Sequence, residues 1–161
     1  MFTATSADQM PGLETTLSMS GLQFMQAMRD GDISHPPISA LLHYKLESVE
    51  RGKVVFRGNP AFAHSNPAGG VHGGWYGTLL DSCMSCAVMT VTPKGSVYTT
   101  LEYKVNLVGA IPVGGEILAT GTIDHAGRST GVASGEIRDA ATGKLYATGS
   151  ATCLIMKPRR G

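Results

Sequence analysis

The sequence predicts an α+β fold in which a curved antiparallel sheet wraps around one long central helix. The first observation is that residues 58–93 carry a single formal charge, Asp81. Within that stretch, residues 73–91 have the length and composition of a helix that protein surrounds on most sides. The second observation is that the segments on both sides alternate between apolar and polar side chains, as strands do.

The predicted elements run in the order helix, two strands, long helix, four strands. The first helix, 18–30, has a serine at its N-terminus, apolar residues on one face and Gly31 after its last turn. A helical turn around 39–42 follows a proline pair, and a loop rich in glycine and proline, 59–71, precedes the long helix. The predicted strands are 43–49, 54–58, 99–108, 116–124, 129–139 and 145–156.

The last four strands are separated by turn signals, which predicts short turns and antiparallel pairing among them. Small residues on one face of the last strand, such as Gly149 and Ala151, would let a helix approach the sheet closely. We expect residues 1–17 to form a loose arm, 18–156 a single domain and 157–161 a short basic tail.

Composition excludes several classes of protein. The 161 residues carry a net charge of +1, which gives no sign of a nucleic-acid binder. Charged residues make up only 16%, against a usual share of about 25%, which indicates that a partner subunit covers part of the surface. A carboxylate in the middle of the long apolar helix disfavours a membrane span. Three cysteines and no secretory signal favour a reducing cytoplasm.

The long helix carries the two strongest indications of chemistry. Asp81 is either a carboxylate held by hydrogen bonds at an interface or a general base or nucleophile, because an unpaired buried carboxylate is costly. The glycine-rich segment 69–74 opens the helix, where free backbone N–H groups and the helix dipole favour an anion or a developing oxyanion. No Lys-Ser/Thr pair follows these glycines, so the segment is not a phosphate-binding P-loop.

Other chemistry is disfavoured. The five histidines lack the spacing of metal ligands, so we expect no metal site. Cys83 and Cys86 form a CxxC pattern inside an apolar helix, where packing is a more natural role than redox chemistry.

The spacing of three motifs matches a known family. Asn66 is followed six residues later by His72-Gly73-Gly74, and Asp81 follows nine residues after His72. This pattern resembles the hotdog-fold acyl-CoA thioesterases, especially the branch with the phenylacetate-pathway thioesterase PaaI and the 4-hydroxybenzoyl-CoA thioesterases. The likeness runs over residues 21–156 and includes the segments 99–102 and 125–128.

The resemblance implies a thioester hydrolase that cleaves an aryl- or medium-chain acyl-CoA. Asp81 would be the nucleophile or the base toward water, and the Gly73 N–H would bind the thioester carbonyl. Asn66 would position the thioester or the water, and the Thr100 hydroxyl would hold the water or the carboxylate. No cofactor is implied, because coenzyme A is part of the substrate.

Further substrate contacts are less sharply placed by the resemblance. His72 is a candidate for organising the loop, with a general-base role as the alternative. The basic tail is either solvated or in contact with the phosphates of coenzyme A. Relatives often have Arg-Pro where this chain has Gly109-Ala110, which leaves that contact unassigned. The candidates for contact with the substrate are His72, Gly74 and Arg128.

Geometry requires a second copy of the chain if this reaction is correct. Gly73 and Asp81 are eight residues apart on one helix, a rise of about 12 Å. A nucleophile and an oxyanion donor must both lie about 3 Å from one carbonyl group. Two antiparallel helices from two subunits satisfy this requirement, which predicts an obligate homodimer with two equivalent sites, and a homotetramer is compatible with it.

Two other functions fit the same scaffold. A non-catalytic protein that binds or senses acyl-CoA would show saturable binding without turnover. A hydratase of acyl thioesters is supported by the fold through analogy. It would need a histidine beside the acid, and His64 or His72 would have to approach Asp81 from another chain.

Overall fold

The computed structural model describes residues 2–158, and its elements follow the predicted order with one additional helix near the N-terminus. The helices are α1 (Leu13–Ser18), α2 (Gly21–Asp30), α3 (Pro37–Leu41) and α4 (Gly73–Met89). The strands are β1 (Tyr44–Glu50), β2 (Lys53–Gly58), β3 (Val97–Leu107), β4 (Ile117–Ala126), β5 (Thr130–Asp139) and β6 (Leu145–Met156).

The six strands form one antiparallel sheet in the order β1-β2-β4-β5-β6-β3. The prediction of antiparallel pairing is confirmed, but the predicted short turn between β3 and β4 is wrong. Residues 108–116 connect β3 to β4, and backbone hydrogen bonds hold this connection in place. Val108 N and Gly109 N donate to Tyr146 O, and Gly114 N donates to Pro60 O. This connection carries the chain across the sheet, so β3 becomes an edge strand beside β6.

A row of glycines lets α4 lie directly on the sheet. Gly121, Gly135 and Gly149 are paired across β4, β5 and β6 in register. A Cβ added at Gly121 would lie 2.0 Å from the carbonyl oxygen of Cys83, and one at Gly135 would lie 2.7 Å from Cγ of Met84. We call these three residues the glycine row. Only glycine permits this close approach of helix and sheet backbones.

Helix α2 begins as the sequence indicates. Ser20 and Gln23 form a capping box at its N-terminus. Gly31 ends the helix in the left-handed region at φ 91°, which glycine adopts without strain. Phe24 and Met25 bury the inner face of α2 in the core.

The described part of the N-terminal segment, residues 2–17, contacts the domain through backbone hydrogen bonds, whereas the sequence alone predicts a loose arm there. Thr3 bridges to His35, where Ala4 N donates to His35 O and His35 N donates to Phe2 O. Ala4 is only 2% exposed. Sequence periodicity misses this segment because backbone hydrogen bonds, rather than an amphipathic pattern, hold it in place. In the basic tail Lys157 is exposed, and Arg159 and Arg160 lie outside the described residues.

Strand β3 leaves apolar side chains exposed at the edge of the sheet. The four residues share an exposed fraction of 46–59%. We call them the β3 patch: Leu101, Tyr103, Leu107 and Val108. Within residues 2–158, no helix is both long and apolar enough to cross a membrane.

Candidate active site

Asp81 lies at the middle of α4 and is held by a strand. The Thr100 hydroxyl on β3 donates a hydrogen bond to Asp81 Oδ1 at 2.9 Å. Thr100 also lies at an irregularity in the pairing of β3 with β6, beside Cys153 Sγ at 4.0 Å. Asp81 is half-buried, so its carboxylate is oriented by the protein and still open to a ligand.

The face of α4 that meets β3 is made of small residues. A Cβ added at Gly73 would lie 3.3 Å from Cδ1 of Leu107, and one at Gly77 would lie 3.4 Å from the hydroxyl oxygen of Tyr103. Gly73, Gly77 and Asp81 are spaced four residues apart and therefore share this face. The order of contacts along β3 is the reverse of that along α4, so helix and strand run antiparallel.

His72 caps the N-terminus of α4. Its Nδ1 accepts a hydrogen bond from Gly74 N at 2.9 Å, and its carbonyl oxygen accepts one from Trp75 N at 2.9 Å. Gly74, a candidate substrate contact, thus has its N–H engaged within the loop. The Gly73 N–H has no acceptor among the residues that the structure describes. It is the donor that the helix end presents to a ligand.

Asn66 closes the loop before α4. Its Oδ1 accepts hydrogen bonds from Ala68 N at 2.9 Å and from Gly70 N at 3.2 Å. Its backbone N donates to Gly70 O at 2.7 Å. Because the carbonyl end of the side chain organises the loop, the Nδ2 hydrogens are the part of Asn66 suited to a substrate.

The predicted site residues fall into two groups within one chain. Asp81 and Thr100 are in contact, whereas Asn66 lies in the loop that leads to His72 and Gly73 at the start of α4. Gly73 and Asp81 stand at different levels of α4, separated by about 12 Å of helical rise. Neither group alone combines the carboxylate with the Gly73 N–H.

Arg128 lies apart from both groups. It belongs to the turn between β4 and β5, in a groove of about 650 Å³ that also includes Arg51 and Lys157. The three cations make this groove suitable for a polyanion.

Two sets of side chains are committed to structural roles. Burial raises the pKa of the Cys83 thiol well above its usual range and that of Cys86 to about 12, so both stay protonated, as a packing role requires. His64 uses both ring nitrogens, with Nδ1 accepting from Ala61 N and Nε2 paired with Leu41 O. Within residues 2–158, no three potential ligands among His, Cys, Asp and Glu are grouped to hold a metal ion.

Comparison with known proteins adds a family similarity. The sequence profile of the Thioesterase superfamily matches residues 68–146, from the loop that Asn66 closes to the start of β6. The fold of the chain is the hotdog fold that solved thioesterases share.

A named relative agrees with this similarity. Acyl-coenzyme A thioesterase 13 of Mus musculus is 33% identical over 89 residues, which make up 55% of this chain and 63% of the mouse protein. The match therefore spans less than two thirds of the length of that relative.

Solved structures share the fold. A phenylacetic acid degradation-related protein of Ralstonia eutropha superposes with a TM-score of 0.73 at 25% identity, over 81% of this chain and 98% of that one. A hypothetical thioesterase protein of Streptococcus pneumoniae, solved with coenzyme A, gives 0.67 at 26% identity, over 76% and 93%.

Sequence reasoning missed one residue on the face of α4 that carries Gly73 and Asp81. Tyr103 stands over Gly77, midway between Gly73 and Asp81. The alternating pattern of β3 placed Tyr103 on an apolar face, but the pattern gave no sign that this face meets the small residues of α4. The signal that could have found it is the spacing of Gly73, Gly77 and Asp81 along one helical face.

Proposed function

We propose that this thioesterase hydrolyses an aryl- or medium-chain acyl-CoA to the free acid and coenzyme A, in sites shared between two copies of the chain. The observation that carries the proposal is the oriented Asp81 carboxylate on the same helix face as the free Gly73 N–H. A carboxylate and an oxyanion donor are the two groups that acyl transfer to water requires.

The chemistry follows from these two groups. The Gly73 N–H, reinforced by the helix dipole, binds the thioester oxygen as it gains negative charge. Asp81 either accepts the proton of the attacking water or attacks the carbonyl carbon itself, in which case water cleaves the resulting anhydride. In both routes the C–S bond breaks, the thiolate of coenzyme A takes up a proton, and the acid is released. No metal or prosthetic group takes part in this proposal.

In a dimer that is symmetric about Gly77, in the first half of α4, the two groups of each chain would combine into complete sites. Gly77 is equidistant in sequence from Gly73 and Asp81, and Tyr103 packs on Gly77. A two-fold axis through this point would place Gly73 of one protomer beside the partner's Asp81. The same axis would pair β3 with its own copy in antiparallel register about Tyr103.

The surface of β3 supports this assembly. An edge strand with unpaired backbone groups is a template for another strand. The β3 patch adds exposed apolar side chains that self-pairing would cover. A homodimer built this way accounts for the low charged share of the chain, and a homotetramer would need a second face of the sheet.

The groove with Arg51, Arg128 and Lys157 is our proposed site for the phosphates of coenzyme A. Lysine and arginine are the natural partners of phosphate oxygens. The Streptococcus pneumoniae relative was solved with coenzyme A, which supports this class of substrate. The three cysteines are free, which fits the reducing cytoplasm that we propose as its location.

The first test is release of free thiol from a panel of aryl- and alkyl-CoA thioesters by the wild type and Asp81→Asn. We expect Asp81→Asn to lower kcat by about 1,000-fold or more while the dimer stays intact, because it removes the base or nucleophile. The matched control is Asp32→Asn, because Asp32 is an exposed carboxylate distant from Asp81 in the sequence.

Two outcomes would contradict the proposal. Full activity of a folded, dimeric Asp81→Asn would refute the mechanism. Saturable binding of the thioesters without any thiol release from the wild type would establish a binding protein instead. The hydratase alternative needs a histidine beside Asp81, and His64 is not available for that role because both of its ring nitrogens are hydrogen-bonded within the chain.

A further inference from the structure

An apolar cavity of about 340 Å³ lies between the N-terminal helices and the inner face of the sheet. Helices α1, α2 and α3 form one side of its wall, and β1, β2 and α4 contribute to the other. Its wall includes three methionines and four aromatic rings, which belong to Phe24, Tyr44, Phe56 and Tyr98.

The cavity adjoins the carboxylate. Ser82, the residue after Asp81, lines the cavity, and its Oγ lies 3.0 Å from the hydroxyl oxygen of Tyr44. Burial raises the pKa of Tyr44, and the negative charge of Asp81 adds to this shift. Tyr98 lines the same wall, two residues before Thr100 on β3. The acyl group of a thioester held at Asp81 would therefore lie next to this cavity.

The volume limits what can enter. A dry cavity of about 150 Å³ holds one benzene ring, and pockets for small molecules begin at about 300 Å³. At about 340 Å³, this cavity accommodates a ring with a short linker and is too small for a long acyl chain.

The wall favours a ring over a flexible chain. Tyr44 and Phe56 already pack edge to face, with ring centroids 5.7 Å apart at 82°. An aromatic ligand could extend this arrangement and contact the methionine sulfurs. It would also lose less conformational freedom on binding than a linear chain of similar volume.

We propose that this cavity is the acyl pocket and that it takes a short acyl group ending in an aromatic ring. The inference rests on the proposed function, since it places the acyl group relative to Asp81. Much of the wall, from Leu13 to Phe56, comes before the segment 68–146 that matches the family profile. The part of the chain outside that match therefore sets the choice of acyl group.

Helix α3 offers a matched pair of variants. Ile38 lines the cavity and is 44% exposed, whereas Leu41 is 72% exposed and is not part of the wall. We expect Ile38→Ala to lower kcat/KM for phenylacetyl-CoA by about tenfold, because a hydrophobic pocket loses roughly that much for a missing methylene. The same variant should lower kcat/KM for acetyl-CoA much less than for phenylacetyl-CoA, and Leu41→Ala should leave kcat/KM for both substrates unchanged.

A second variant fills the cavity from α2. Met28 is a half-buried part of the wall, and Met28→Trp would occupy the space of a ring. We expect Met28→Trp to abolish the preference of the wild type for phenylacetyl-CoA over acetyl-CoA, while thiol release from acetyl-CoA persists. If Met28→Trp does not fold, the Ile38 and Leu41 pair decides.

Binding of phenylacetate by calorimetry separates the two proposals, because it does not depend on turnover. Thiol release from wild type with equal losses for both thioesters in Ile38→Ala would overturn the acyl pocket and leave the thioesterase proposal standing. A wild-type preference for octanoyl-CoA over phenylacetyl-CoA would overturn the aromatic specificity. Absence of thiol release together with phenylacetate binding that Ile38→Ala weakens would support the pocket and refute the hydrolysis.

Discussion

The contact between Thr100 and Asp81 is the smallest unit of the proposed site, and it can be tested by removing one hydroxyl. Thr100→Val keeps the shape of the side chain and deletes the donor at 2.9 Å from Asp81 Oδ1. Loss of a hydrogen bond to a charged group costs about 1.5–3 kcal/mol, which corresponds to about a 10- to 100-fold fall in kcat. KM should change little, because Thr100 positions the carboxylate rather than the substrate.

Thr100→Ser provides the control, because it restores the hydroxyl. We expect Thr100→Ser to recover most of the kcat that Thr100→Val loses. Equal activity of all three proteins in steady-state thiol release would show that the hydrogen bond has no part in the reaction.

Asn66 has two ends with different tasks, and two substitutions separate them. Asn66→Asp keeps an oxygen for the N–H groups of Ala68 and Gly70 and removes the Nδ2 donor. Asn66→Ala removes both ends. We expect both variants to lose activity, but less than Asp81→Asn does. Only Asn66→Ala should also lose stability, with a free energy of unfolding in urea that is lower by about 1–2 kcal/mol.

The measurements are thiol release and urea unfolding on the same preparations. Full activity of Asn66→Asp would show that Asn66 serves the loop alone.

At the residue scale, the sequence predicts the members of the proposed site but not their grouping. The spacing of Asn66, Gly73 and Asp81 is the pattern on which that prediction depends. The spacing could not show that the Gly74 N–H donates to the His72 ring, because this hydrogen bond depends on the side-chain rotamer of His72. It also could not reveal Tyr103, whose contact with Gly77 depends on how β3 crosses α4.

Among the elements, β3 carries the prediction of a dimer. If the two-fold axis passes near Tyr103, any charge placed there meets its own copy. We expect Tyr103→Glu to dissociate the dimer through like-charge repulsion and to abolish thiol release in parallel, since each site would lose its second half. Sedimentation and activity measured over the same concentration range would check this.

Two controls isolate the position of the charge. Tyr103→Phe keeps the ring and should remain dimeric. Phe62→Glu adds a charge at a side chain that is 84% exposed and belongs to the loop before α4 rather than to β3, and this variant should also remain dimeric. A Tyr103→Glu monomer with wild-type turnover would refute the shared site.

The bounds of the six strands, α2 and α4 follow closely from the sequence, because the strands alternate and both helices have clear stop signals, whereas α1 was not predicted. The neighbour of β3 could not be predicted, because strand order depends on where the connection 108–116 is anchored, at Tyr146 and Pro60. The pairing of β3 with β6 leaves β3 as an edge strand. This edge provides the surface on which the dimer proposal depends.

For the whole molecule, His35 links stability to pH. It is buried where the N-terminal segment joins the domain, and burial lowers its pKa below the ordinary value of about 6.5. Below about pH 6.5, His35 therefore binds a proton in the unfolded chain while it stays neutral in the native protein, until the pH approaches its native pKa. The free energy of unfolding should be independent of this group above pH 6.5 and fall as the pH drops toward the native pKa.

Urea unfolding at pH 7.5, 6.5 and 5.5 measures this dependence. We expect His35→Gln to lose less stability between pH 7.5 and 5.5 than the wild type does. His125→Gln, on an exposed histidine of β4, should follow the wild type. An identical slope in all three proteins would show that His35 is not the linked group.

The glycine row has a consequence for how such a molecule can diversify. Backbone contact at Cys83 and Met84 fixes α4 against the sheet only two residues after Asp81, so the helix has no freedom to shift when the substrate changes. The proposed reacting groups therefore keep fixed positions, and a change of substrate preference must arise in another segment of the chain. That segment is residues 13–41, which cover the cavity. Exchange of residues 13–41 between homologous chains should transfer the substrate preference and leave the reaction itself unchanged.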